Sequence, residues 1–172
     1  MVVDAFVELK QRNRVANLQL RMGGGCGPAD EAFVAGLKER LATEGLARDA
    51  EFHPNLDRKR KIEFYESLSV LSVPALYGEA FGLYLLEAWA AGVPVVQPRH
   101  GAVPELVAAT GGGVVCEPTA LGLASALEKL LLAPEELRAL GEAGQRAVRE
   151  RFTAERVAAE FLAACEVVTA RR

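Results

Sequence analysis

The stretch Val70-Leu-Ser-Val-Pro74-Ala-Leu-Tyr-Gly78-Glu79-Ala-Phe81-Gly82-Leu83-Tyr-Leu-Leu-Glu87-Ala-Trp-Ala-Ala-Gly92-Val-Pro94-Val-Val-Gln97 decides the fold. A β-branched run ends at Pro74, a turn runs through Gly78, a helix opens near Gly82, and glycine follows it at Gly92. A second β-branched run then begins. This spacing predicts a parallel strand pair joined by a crossover helix. Working outward, the same alternation recurs. Strands are expected at Leu18 to Met22, Ala50 to His53, Val70 to Val73, Pro94 to Gln97 and Gly113 to Cys116. Helices are expected at Asp30 to Glu44, Asp57 to Leu68, Gly82 to Ala91, Val103 to Ala109 and Ala120 to Leu132. Two more run from Pro134 to about Glu150 and from Thr153 to about Val168. Asp30, Asp57 and Thr153 stand where N-caps belong. With no repeat or linker in the chain, the expectation is one domain over residues 1–172, a three-layer α/β/α parallel sheet.

Composition narrows the function classes. The 172 residues are 51% hydrophobic and 25% charged, the balance of a globular protein. A net charge of −3 gives no electrostatic reason to expect a nucleic-acid partner. No run approaches the roughly 18 apolar residues of a membrane span. The start, Met1-Val2-Val3-Asp4, lacks the basic region of a signal peptide. Cys26, Cys116 and Cys165 are odd in number and far apart, which predicts reduced, partly buried thiols, no metal site and a cytoplasmic setting.

Ligand sites in such sheets lie beyond the C-terminal strand ends, where loops enter helices. Here the start of the helix near Gly82 can hold an anion with its free N–H groups and positive dipole end. Glycine at 82 leaves the approach open. The helix is apolar nearly all round, so it is expected to be buried, and a carboxylate at Glu87 inside it needs a partner. Glu87 shares a face with Leu83 and leans back toward the helix start. As an acceptor-only group it suits a vicinal diol. Glu79 lies on the other side of the same anion site. Phosphate between two sets of hydroxyls describes a nucleotide sugar. On spacing alone a second reading stays open, with Glu79 a solvated turn residue and Glu87 reaching solvent or a core hydrogen bond.

The ordered text is similar to a known family. Glu79 and Glu87 match an E-x7-E motif within E-A-F-G-L-Y-L-L-E-A-W-A-A-G-V-P-V-V. Gly101-Ala-Val-Pro-Glu105, Thr110-Gly-Gly-Gly113-Val-Val-Cys-Glu-Pro118 and Arg151-Phe-Thr153 follow in the matching order. The chain thereby resembles the donor-binding, C-terminal half of the retaining glycosyltransferases of family 4, or glycosyl transferases group 1, which have the GT-B fold of two Rossmann-like domains. The resemblance implies that Glu79 sits by the donor sugar as the catalytic-site carboxylate and Glu87 holds the ribose hydroxyls. Phe81, Gly82 and Leu83 would offer backbone N–H groups to sugar and diphosphate, with Gly78 in the adjoining turn. His100 and Gly101 would face the donor sugar from the next loop, and Lys61 or Arg58 would approach the diphosphate. It further implies sugar transfer with retention, no metal or other cofactor, a nucleotide-sugar donor as substrate, and a sugar, lipid or protein acceptor held by another domain.

Other signals read differently. Met22-Gly-Gly-Gly-Cys26-Gly-Pro28 fails the G-x-G-x-x-G pattern and reads as a flexible loop near the donor. Arg58-Lys-Arg-Lys61 reads first as a solvated helix start, His53 as packed at a strand end, and Glu105 as structural at a helix start. The closing helix, with Phe152, Val157, Phe161 and Leu162, reads as a packing element. The family's second domain opens with a strand, an arginine and a lysine-glycine ahead of the helix at Asp4 to Arg12. Strand 1 of the common order 3-2-1-4-5-6 is central, so the strands at Leu18 and Val70 are expected to lack a shared neighbour. The expectation is a truncated product or domain fragment with weak or no transfer, unless a partner chain or swapped dimer supplies the strand. The alternatives are a non-catalytic nucleotide-sugar or carbohydrate-binding fragment and, against the E-x7-E context, a nucleotide-sugar epimerase.

Overall fold

An extended run becomes a strand where a neighbour pairs its backbone, and the chain meets that condition in two separate places. The computed structural model describes residues 1–75 and 77–169; Leu76, inside the expected loop, and residues 170–172 lie outside it. Helix α1 (Val2–Arg12) leads into β1 (Leu20–Gly24), α2 (Glu31–Thr43), a 3-10 turn at Ala47–Asp49 and β2 (Ala50–Pro54). Then come α3 (Arg58–Glu66), α4 (Leu83–Ala90), β3 (Val95–Pro98), α5 (Val103–Thr110) and β4 (Gly113–Cys116). Helices α6 (Ala120–Leu131), α7 (Pro134–Arg151) and α8 (Ala154–Thr169) close the chain. The parallel α/β class holds, and the layers are helix, sheet, helix.

The caps explain several boundaries. The Asp57 carboxylate accepts from Arg60 N at 2.8 Å and starts α3. Asp30 instead turns backward and accepts from Gly27 N at 2.9 Å, closing the loop ahead of α2. Gly92, at φ 77, ends α4 in the left-handed conformation that a side chain disfavours.

Alternation along β3 builds the best-packed region. Val95 joins a cluster with Leu85, Trp89, Val103 and Leu106, while Val96 joins Ala5, Leu9, Leu123 and Leu130 on the opposite face. Trp89 is fully buried, and its indole N–H donates to Gly112 O at 2.7 Å. Gly112 and Gly144 make that space, since a Cβ at either would come within 2.3 Å of the indole.

One expectation about the sheet holds and one is corrected. Among the described residues, the first strand and residues 70–73 share no neighbour, so the sheet is divided into β1–β2 and β3–β4, both parallel. Val70 to Val73 forms no full strand and keeps one bridge, Leu71 to Val95. Leu71 N donates to Pro94 O at 3.0 Å and Leu71 O accepts from Val96 N at 2.9 Å. Among the described residues, the backbone groups of Val70 and Ser72, which alternate to the other side, have no backbone partner. Between them and β1 lies a groove of about 430 Å³, lined by Leu18 to Gly23, Ser69 to Pro74, and by Val2, Phe6 and Leu9 of α1. The groove has the place and orientation of a strand between β1 and residues 70–73. On the groove side Val70 and Ser72 meet no backbone among the described residues, so residues 70–73 stop at one bridge.

Three further expectations change. Helix α4 is not buried all round: Leu85, Ala88 and Trp89 are buried, but Leu83 is 67% exposed. The stripe on α8 does not pack, as Val157, Phe161 and Leu162 are all exposed, and only Phe152 before it is partly covered. Of the cysteines, Cys116 is buried and Cys26 intermediate, but Cys165 is exposed because it shares that uncovered helix. Among the described residues no helix is long and apolar enough to cross a membrane.

Candidate functional site

The site forms where α4 begins, between the loop after residue 73 and the loop after β3. Gly82 caps α4 at φ 79. A left-handed residue there turns the incoming chain across the helix axis and leaves the first-turn N–H groups uncapped by any side chain. Glu79 is tied to this point through both its backbone and its side chain. Its carbonyl accepts from Ala102 N at 3.0 Å, and its carboxylate accepts weakly from Phe81 N at 3.4 Å. The Phe81 amide expected to face a ligand therefore meets Glu79 first. Gly101, at φ 51, lies directly against Glu79, where a Cβ would stand 2.4 Å from the Glu79 carbonyl oxygen. The sequence signals at Glu79, Gly82 and Gly101 thus converge in space.

Gly78 is exposed with open space around its Cα, and His100 is exposed at the turn whose carbonyl accepts from Val103 N at 3.2 Å. Phe81 is 42% exposed and its ring lies 6.4 Å from that of Phe152. Leu83 extends this apolar rim toward solvent.

Glu87 lies on the Leu83 side of α4, at the edge rather than in the interior, with its side chain 39% exposed. Its partners come from α3. Lys61 Nζ donates to Oε1 at 2.5 Å and the Tyr65 hydroxyl donates to Oε2 at 2.9 Å. Lys61 therefore meets Glu87, whereas Lys59 and Arg60 remain on the solvated face of α3. Arg58 is exposed at the first position of that helix. Tyr65 has its phenol pushed above the usual range, first by burial and then by its bond to Glu87, so it stays a donor. Tyr84 is pushed up to about 12, by burial and then by the negative charges of Glu79 and Tyr77. Its hydroxyl is buried and has no hydrogen-bond partner among the described residues.

Two residues of this region carried no role in the sequence reading. Tyr65 is one, and its only sequence signal is a position four residues after Lys61, one helical turn along the same face. Asn55 is the other. At φ 53 it accepts from Cys26 N and donates to Cys26 O, both at 2.8 Å, and so clasps the loops leaving β1 and β2 together. Asparagine after Pro54 is suited to a left-handed turn. His53 packs edge-on to Phe64 at 5.5 Å and pairs with Glu51, as its strand-end position suggested. Among the described residues no group of three or more His, Cys, Asp or Glu side chains stands where it could hold a metal ion.

Comparison with known proteins agrees with this layout. The model of the family described as glycosyl transferases group 1 matches residues 1–147. An MMP α-(1→4)-mannosyltransferase of Mycolicibacterium hassiacum is 35% identical over 139 residues, 79% of this chain and 34% of that protein. The structure of sucrose-phosphate synthase from Thermosynechococcus elongatus superposes with a TM-score of 0.82 at 26% identity, over 99% of this chain and 43% of that one. Anabaena HepE shares the fold, with a TM-score of 0.81 at 18% identity over 95% of this chain and 44% of HepE. The chain thus spans about a third to under half of the length of these relatives.

Proposed function

We propose, from the premise that this chain belongs to the glycosyl transferases group 1 family, that residues 1–172 form the donor-binding part of a glycosyltransferase. In this reading the helix start at Gly82 receives the diphosphate of a nucleotide sugar. Glu87 accepts from the ribose hydroxyls, and Glu79 accepts from hydroxyls of the donor sugar. The observation that carries the reading is the pairing at α4. One carboxylate is braced by backbone at the helix N-terminus, and a second is held at the edge one helical turn further on.

The chemistry follows from those positions. As the glycosidic bond of the donor breaks, negative charge builds on the departing diphosphate. First-turn N–H groups and the helix dipole are fixed in place before this happens and stabilise that charge. Glu79 orients the sugar so that the acceptor hydroxyl attacks with retention. The acceptor is a sugar, lipid or protein bound outside residues 1–172, and no step requires a metal ion. His100 and Gly78 border the sugar position.

An extended apolar segment running parallel to β1 completes the sheet in the groove beside residues 70–73. A partner chain or a swapped copy is the source in this reading. The unpaired groups of Val70 and Ser72 support it.

Calorimetry with UDP, GDP and ADP tests the donor reading, followed by their sugar conjugates. HepE has been crystallised with UDP and with UDP-glucose, which makes these the first probes. Saturable binding of one nucleoside diphosphate, lost in Glu87→Ala, is the expected result. No binding of any of the three would sink the reading. A non-catalytic binding module is the second reading, favoured by the unfilled groove. It predicts the same binding with no transfer, even when the sheet is completed.

A further inference from the structure

We propose that Lys61 and Tyr65 are positioning residues that lock the Glu87 carboxylate into one orientation and so set its discrimination for a vicinal diol. The inference rests on the donor-binding reading above and goes further by assigning how that site gains its selectivity.

An ionised carboxylate has about four acceptor positions, two on each oxygen. Lys61 takes one on Oε1, and the Tyr65 hydroxyl takes one on Oε2. The two donors are four residues apart on α3 and reach the carboxylate from the same side. One acceptor position on each oxygen therefore remains, and Glu87 keeps 39% of its side chain open to solvent. Two free positions on neighbouring oxygens of a fixed plane suit two hydroxyls on adjacent carbons.

The two donors act differently. Tyr65 is only 9% exposed and packs in the core cluster around Trp89 and Leu85. Burial keeps its phenol protonated, so it is a rigid, neutral donor. Its contribution is orientation, because an unpinned glutamate at a helix edge samples several rotamers. Lys61 is 44% exposed and brings charge. It offsets the Glu87 carboxylate, which would otherwise repel a diphosphate bound nearby.

The test compares UDP with 2′,3′-dideoxy-UDP, by calorimetry on the 172-residue chain, and repeats the comparison with GDP or ADP if one of those is the better ligand. In the parent chain the ribose form is expected to bind more tightly. Tyr65→Phe removes one oxygen and keeps the ring. It is expected to weaken the ribose form about tenfold while leaving the dideoxy form nearly unchanged, so that discrimination collapses. Lys61→Met is expected to weaken both forms and the ribose form more, so that discrimination falls here too. In a Glu87→Ala background, Tyr65→Phe should have no further effect on the ratio. A merely structural role for Tyr65 would weaken both ligands alike and leave the ratio intact, which would overturn the proposal. If the parent chain binds no nucleoside diphosphate, the donor reading falls, and a crystal structure of Tyr65→Phe decides the lock by itself. Glu87 spread over several rotamers supports it, and Glu87 in one unchanged orientation overturns it.

Discussion

The two strand pairs differ in how well they are enclosed, although both are short and parallel. Every residue of β3 is buried, and β3 has β4 on one edge and the Leu71 bridge on the other. In β1 no residue is buried, and its free edge borders the groove. Composition accounts for part of the difference, since Arg21 and Glu51 interrupt the apolar residues of β1 and β2. Neighbours account for the rest. A strand is enclosed when both edges are paired and both faces are covered by helices, and β1 lacks one edge.

The comparison can be broken at its strong side. Trp89 fills the space beside Gly112 and Gly144, so Trp89→Ala should destabilise the chain by about 3–5 kcal/mol in urea unfolding. Met22→Ala, beside the groove, should cost far less. Equal costs would show that the β1–β2 half is as tightly packed as the other.

The weak side can be strengthened. A five-residue peptide of β-branched residues, flanked by lysines, should enter the groove parallel to β1. At one hundred times its dissociation constant it should add about 2.7 kcal/mol of stability. Hydrogen exchange should then slow at Val70 and Ser72 and stay unchanged in β3 and β4. Protection spread over both halves would contradict a strand-shaped slot.

The loops leaving the two halves offer a smaller contrast. A Cβ at Gly24, the last residue of β1, or at Gly25 after it meets nothing within 4 Å, whereas one at Gly101, after β3, collides with the Glu79 backbone. Gly101→Ala should therefore cost about 1–3 kcal/mol and weaken nucleotide-sugar binding by displacing Glu79. Gly24→Ala should fall within about 0.5 kcal/mol of the parent in thermal unfolding.

The smallest effect concerns pH. Folding raises Tyr84 from 10.0 to about 12. The folded state therefore holds this proton more tightly than the unfolded one. Its contribution is complete below pH 10 and is lost as pH rises toward 12. Tyr84→Phe should remove that part of the alkaline stability loss and spare the buried hydroxyl its missing partner.

Much of the layout of the candidate site is legible in the sequence. The Glu79–Glu87 spacing, the glycines at 82 and 101, and the helix starting near Gly82 all rest on local chemistry. The reading failed where burial had to be judged. An apolar text for α4 suggested a fully enclosed helix, yet Leu83 and Glu87 lie at an open edge. The same error affected α8, whose apolar stripe is exposed. Periodicity identifies which residues share a face, but does not say whether anything covers that face.

By itself the sequence determined the element order, the Asp57 cap and the Gly92 stop. These depend on backbone preferences and on contacts within a few residues. Tertiary structure alone decided that residues 70–73 keep one bridge, that Gly101 braces Glu79, and that Lys61 and Tyr65 grip Glu87. Those last contacts join residues 26 and 22 positions apart in the chain. They exist because Tyr65 of α3 shares one core cluster with Leu85 and Trp89 of α4 and with Leu71 and Val95, a relation set by shape and burial across the core and not by any local run of residues.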